Sequence, residues 1–159
     1  MIRLHRIDFE SKDFTYGSRV ALADIFGDES KTEYQRMKGA FKELHGFSAR
    51  LLPIHFRIIA FRHIAEGLQS WIDKEKTLLD YQPSADELAA GVKELGEKVG
   101  SMATIKALAK SYGKDPDEIL RWEYSKVFGI LYTDLEERKY EMKLQKRIYG
   151  KSQSRKYGN

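Results

Sequence analysis

The sequence predicts a mainly α-helical protein: a helical body, preceded by a short β-hairpin or extended segment and followed by a long charged helix. Three observations carry this. Apolar residues recur at steps of three and four through most of residues 18–135. The runs are punctuated by helix starts, Ser84-Ala85-Asp86-Glu87 as a capping box and Asp115-Pro116-Asp117-Glu118 as a cap with proline at the first helical position. Only residues 2–16 alternate apolar and charged positions as a strand does.

The chain has 159 residues, against ~150 for one domain. It divides into a β-leaning segment at 1–17, a helical body at 18–135 and, at 136–159, a charged basic C-terminal helix with a disordered tail expected over Lys151–Asn159. Hydrophobic residues make up 42% and charged residues 33%. That mixture excludes a collagen and a disordered chain. Charges break every apolar window well short of the ~20 residues a bilayer requires, so a membrane partner is not expected. With no cysteine, the chain has no disulfide framework, thiolate metal site or cysteine nucleophile. Met1-Ile2-Arg3-Leu4-His5-Arg6-Ile7-Asp8 shows no apolar signal region, and a cytoplasmic location is expected.

Element by element, Ile2, Leu4, Ile7 and Phe9 alternate with charges, Glu10-Ser11-Lys12-Asp13 supplies turn chemistry, and Phe14-Thr15-Tyr16 is positioned to pair back as a hairpin. Ser18 is the expected cap of a helix over 19–26 that Gly27 ends. Ser30 or Thr32 caps the next, with Tyr34, Met37, Phe41 and Leu44 on one face and Gly46 just past the end. Pro53 opens the most hydrophobic helix, whose stripe runs through Phe56, Ile59, Ala60, His63, Ile64, Gly67, Leu68, Trp71 and Ile72. Glu75 and its neighbouring lysines mark the wet end of that helix.

The capping box at Ser84 starts a helix carrying Leu88, Val92, Leu95 and Val99, which Gly100-Ser101 ends. Ile105, Leu108, Ala109 and Tyr112 form a short helix closed by Gly113. From Pro116 a single helix is expected to run to about Tyr149, with Ile119, Leu120, Tyr124, Val127, Phe128, Leu131 and Leu135 buried. Past Leu135 the apolar face thins to Tyr140, Leu144 and Ile148, so the last turns are expected to project, or to melt when unpartnered.

Catalytic chemistry is not visible. His5, His45, His55 and His63 include no i, i+4 pair, and His63 with Glu66 reverses the Glu-x-x-His order of bundle-core metal sites. Gly91, Gly96 and Gly100 do not form a phosphate-binding loop, and no Gly-x-Ser-x-Gly elbow occurs. No catalytic residue, metal or cofactor is assigned, and the protein is expected not to be an enzyme.

Charge is unevenly spread. Residues 138–159 hold eight bases against the single acid Glu141, a net +7 in a chain of +4, so the first 137 residues carry −3. Lys143, Lys146, Arg147, Lys151, Arg155 and Lys156 make this a basic interaction tail for an acidic partner or nucleic acid. Residues 104–124 have the layout of a helix-turn-helix, an alternative reading as a nucleic-acid-binding protein. The first turn of its second helix, however, offers Asp115, Asp117 and Glu118, which phosphates repel.

The stretch Leu108-Ala109-Lys110-Ser111-Tyr112-Gly113-Lys114-Asp115-Pro116-Asp117-Glu118-Ile119, followed by Trp122, resembles the Leu-Ala-basic, Gly, Pro-x-Glu-aliphatic pattern of small phage tail assembly chaperones. The layout of a β-leaning start, helical body and basic helical end is similar as well. The resemblance implies a non-enzymatic protein in a bacterial host that binds apolar helical segments of a tape-measure protein and keeps it soluble until tail-tube subunits assemble around it. Trp71, Trp122, Phe128 and Tyr140 are the expected contacts, with self-association possible. A structural phage connector or completion protein, whose N-terminal ribbon joins a neighbour's sheet, is a further alternative.

Overall fold

A computed structural model of the chain describes residues 7–80, 83, 88–89 and 92–156, without the side chains of 92–99, 146 and 149–156. The described residues form α1 (Tyr16–Gly27), α2 (Glu33–His45), a 3-10 turn (Ala49–Leu51), α3 (Ile54–Leu78), α4 (Val92–Tyr112), α5 (Pro116–Leu120) and α6 (Tyr124–Lys156). The mainly helical class is as the periodicity predicts. The capping box at 84–87 lies outside the described residues.

The predicted hairpin does not form among the described residues. From Ile7 the chain instead winds through tight turns: Ser11 N–H donates to the Asp8 carbonyl, Phe14 N–H to the Ser11 carbonyl, and Glu10 N–H to the Asp8 carboxylate. Ile7, Phe9 and Phe14 are all buried. A strand would send position 14 to the face opposite 7 and 9, and consecutive turns bring all three to one side. The backbone of Phe14-Thr15-Tyr16 does pair, but with a distant segment. Tyr16 N–H donates to the Trp122 carbonyl at 2.8 Å and Tyr124 N–H to the Phe14 carbonyl at 2.9 Å, around an isolated Thr15–Glu123 bridge.

That pairing explains a second departure. The helix expected from Pro116 to Tyr149 is broken at Arg121–Glu123, because the Trp122 carbonyl and Tyr124 amide are spent outside any helix. Asp115 caps the short α5 by accepting from Asp117 N–H, and α6 restarts at Tyr124.

Of the two caps predicted before α3, one is displaced and one is as expected. Thr15, not Ser18, caps α1, accepting from Ser18 N–H. Thr32 caps α2 and exchanges hydrogen bonds with Gln35 in a reciprocal capping box. In α4 the expected stop at Gly100 survives as a break inside one helix, where the glycine takes φ 47° and ψ −137°, a conformation closed to residues with a Cβ.

The buried faces of the helices join in one core cluster. Ala60, Ile64, Leu68 and Trp71 of α3 meet Leu22 of α1, Met37 and Phe41 of α2, Ile105 and Leu108 of α4, Ile119 of α5, and Tyr124 and Val127 of α6. Phe9 is pressed onto α3 at Gly67, where an added Cβ would lie 2.3 Å from the Phe9 ring. The ring is itself held against Phe14 and His63, so it cannot swing clear. Gly67→Ala is therefore expected to destabilise the fold by about 2 kcal/mol, against the slight gain alanine gives inside an open helix, measurable by urea titration.

Candidate partner-docking surfaces

The stripe predicted for α3 is buried only in its second half. Leu51, Ile54, Phe56, Ile58 and Ile59 all lie open to solvent, Leu51, Ile54, Ile58 and Ile59 each above 60% exposed. Five of the large exposed apolar side chains thus fall within nine residues, where scattered single ones are the norm for a protein surface. The backbone beneath them is fixed. Leu52 is buried, Leu52 N–H donates to the Ala49 carbonyl, and the Arg57 guanidinium ties the 3-10 turn to α3 through the carbonyls of Leu52 (2.7 Å) and Arg50 (3.1 Å). By helical geometry Ile54 and Ile58 form one ridge and Phe56 and Ile59 a second, with His55 and Arg62 between them.

A second open surface lies on α6. At 1.5 Å per residue its 33 residues span about 50 Å. Leu135 is its last buried residue among the described side chains, and beyond it Tyr140, Leu144 and Ile148 form an exposed i, i+4, i+8 stripe. The helix therefore projects past the core, as its thinning apolar face predicts. Near its root, a groove of about 730 Å³ opens between α4 and α6, lined by Leu79, Leu108, Tyr112, Leu131 and Leu135 with Asp134 and Arg138.

The four predicted contact residues separate. Trp71 is a core residue, 2% exposed, and not a surface contact; its indole N–H donates to the Phe9 carbonyl at 2.8 Å and its ring packs on Tyr124 and Phe128. Phe128 is half-buried against the same cluster. Trp122 is half-buried between Tyr112 and the Lys126 ammonium, which sits 4.0 Å from the ring centroid. Tyr140 alone is open, in the α6 stripe. Of the basic tail, Lys143 and Arg147 are exposed beside that stripe, while the side chains of Lys146, Lys151, Arg155 and Lys156 lie outside the described ones. What sequence reasoning missed is the 51–59 face, because an apolar stripe reads the same whether its partner is the core or another chain.

The root of α6 holds a polar network that the sequence also hid. Glu75, expected at a wet helix end, is half-buried. It accepts two hydrogen bonds from the Arg19 guanidinium, at 2.7 and 2.6 Å, and one from the Tyr124 hydroxyl at 2.6 Å. Burial pushes the Glu75 carboxyl up, but the hydrogen bonds from Arg19 and Tyr124 and the arginine charge together outweigh it, and its pKa falls below the ordinary 4.5. The Tyr124 phenol is pushed well above its usual range, by burial first and then by the Glu75 carboxylate. This network pins the start of α6 to α1 and α3 and so sets the direction in which the helix leaves the body.

His63 donates from Nε2 to the Ile7 carbonyl at 2.8 Å. Among the described residues no three His, Asp or Glu side chains converge as metal ligands, and no helix is long and apolar enough to cross a membrane. Asp115, Asp117 and Glu118 at the start of α5 are exposed, so the helix-turn-helix layout presents acids where phosphate would lie. No protein-family model, curated protein or solved structure matches the chain.

Proposed function

We propose that the protein is a non-enzymatic phage tail assembly chaperone that covers apolar helical segments of a tape-measure protein in the cytoplasm of a bacterial host. The observation that supports this best is the exposed apolar face at Leu51, Ile54, Phe56, Ile58 and Ile59. A stable monomer gains nothing by leaving these residues in water, and covering them gives ~25 cal/mol for each Å² buried. The resemblance of the pattern at 108–122 supports the choice of family, and the projecting α6, with its Tyr140, Leu144 and Ile148 stripe, offers a second contact through which several copies can line one extended client.

The test is co-expression with the tape-measure protein of the same phage. The soluble fraction of that client is expected to rise several-fold, and the two chains to co-purify. Ile54→Asp with Ile58→Asp is expected to abolish both effects while leaving the melting temperature of the purified chaperone unchanged, since both positions are exposed. A client whose solubility is indifferent to the wild-type chain overturns the reading.

A further inference from the structure

The charge around the α3 face narrows the chemistry of what docks there. Residues 44–65 contain no aspartate or glutamate, in a chain that has 24, and they hold Arg50, Arg57 and Arg62. Arg50 is exposed beside Leu51, and Arg62 lies between the two apolar ridges with 80% of its side chain in solvent. Two acids lie near Arg62: Glu33 of α2, which lines the same shallow pocket, and Glu66, one turn further on, which pairs with Arg62 at 2.7 Å in an exposed i, i+4 bridge that a better partner displaces at little cost. We infer that this face is a docking site for an acidic amphipathic helix, whose apolar anchors lie along the ridges of Ile54–Ile58 and Phe56–Ile59 and whose flanking carboxylates meet Arg50 and Arg62.

Charge argues against the other occupants. An isologous pairing of two copies would set the same arginines against each other. The exposed α6 stripe of Tyr140, Leu144 and Ile148 has Lys143 and Arg147 along one side and Glu137 and Glu141 along the other, so it carries no net acidic charge to match the arginines. Recognition of an anionic membrane by charge uses clusters of ~4–8 basic residues, whereas here Arg57 is already committed to backbone carbonyls and two arginines remain. An acidic helix satisfies both the apolar ridges and the two cations. This inference rests on the docking reading above and specifies the partner surface that reading requires.

The test uses the full-length protein and two fluorescein-labelled peptides of ~20 residues with identical leucine spacing at i, i+3 and i+7. One carries glutamate at its polar positions and the other lysine. The acidic peptide is expected to bind about tenfold tighter at low salt, the preference to shrink as salt is raised, and Ile58→Asp to abolish binding without altering the circular dichroism spectrum. Arg50→Gln with Arg62→Gln is expected to erase the preference while retaining the apolar component. Equal binding of the two peptides, lost in Ile58→Asp, overturns the acidic assignment and leaves the docking reading intact. Failure of both peptides overturns docking of a helix at this face, while co-expression tests the chaperone reading separately. Binding to phosphatidylglycerol vesicles in place of the peptides, or self-association by light scattering that Ile58→Asp removes, assigns the face to a membrane or a second copy and overturns the inference.

Discussion

Trp71→Ala is expected to cost the fold about 4 kcal/mol. The indole is where three parts of the molecule meet. Its N–H holds the Phe9 carbonyl of the N-terminal turns, its ring packs edge-on against Tyr124 at 4.8 Å and Phe128 at 5.2 Å on α6, and its own backbone belongs to α3. Alanine leaves a cavity among rings that cannot all collapse into it, and leaves the Phe9 carbonyl without its donor. Chemical denaturation reads the loss as a lower midpoint. Trp71→Phe keeps most of the packing and loses the hydrogen bond, so it is expected to fall between the two, about 1–2 kcal/mol below wild type. A docking tryptophan behaves in the opposite way, with stability unchanged and client binding lost. The pair of substitutions thus distinguishes a core residue from a contact residue, and Ile58→Asp supplies the contrasting case on the exposed face.

The difference between those two positions shows how far a sequence can be read. Periodicity placed Trp71 and Ile59 on one stripe, since both recur at helical spacing from Pro53 onward. What separates them is whether another element lies opposite. The first turns of α3 follow the 3-10 turn and have few elements packed over them, whereas Phe9, Phe14 and Tyr124 converge on the later turns. That depends on where residues 7–15 travel, and their route is set by a pairing with residues 122–124 more than a hundred positions away. Local patterns were legible where their causes are local: the Thr32 cap, the left-handed Gly46, the break at Gly100, the Asp115 cap. The hairpin and the unbroken terminal helix failed together for a single reason, because the backbone groups of Phe14–Tyr16 find their partners at the junction of α5 and α6. Glu75 departs from the wet helix end its neighbours suggest for the same kind of cause. Its acceptance of hydrogen bonds from Arg19 and Tyr124 joins positions 56 and 49 residues apart, and no spacing rule reports that.

Glu75→Ala is expected to cost about 3 kcal/mol at neutral pH, because it strands the Arg19 guanidinium and the Tyr124 hydroxyl in a half-buried site with no acceptor. A fully buried pair broken on one side loses ~3–5 kcal/mol, and the partial exposure here places the effect at the low end. The pH dependence carries the sharper signature. The folded state holds the Glu75 carboxyl below its ordinary 4.5, so the stabilisation is complete above that value and drains away as acid protonates the folded carboxylate. The wild-type and alanine curves should therefore converge as the pH falls below about 4.5, where the unfolded carboxyl takes up its proton first. At the alkaline end the sign reverses. Tyr124 resists ionisation in the folded state, so its contribution is complete below the ordinary 10 and is lost as the pH rises beyond it. Tyr124→Phe removes its share of the alkaline decline, leaving the smaller share of Tyr16, whose phenol burial also pushes up, and removes about 1 kcal/mol of hydrogen bonding while keeping the ring against Trp71. Urea titrations of the three proteins from pH 3 to 11 measure both limbs. Parallel curves at the acid end would show that Arg19 and Tyr124 do not depend on the Glu75 charge. Convergence would locate the anchor of α6 in that carboxylate, and with it the direction in which the Tyr140, Leu144 and Ile148 stripe is presented.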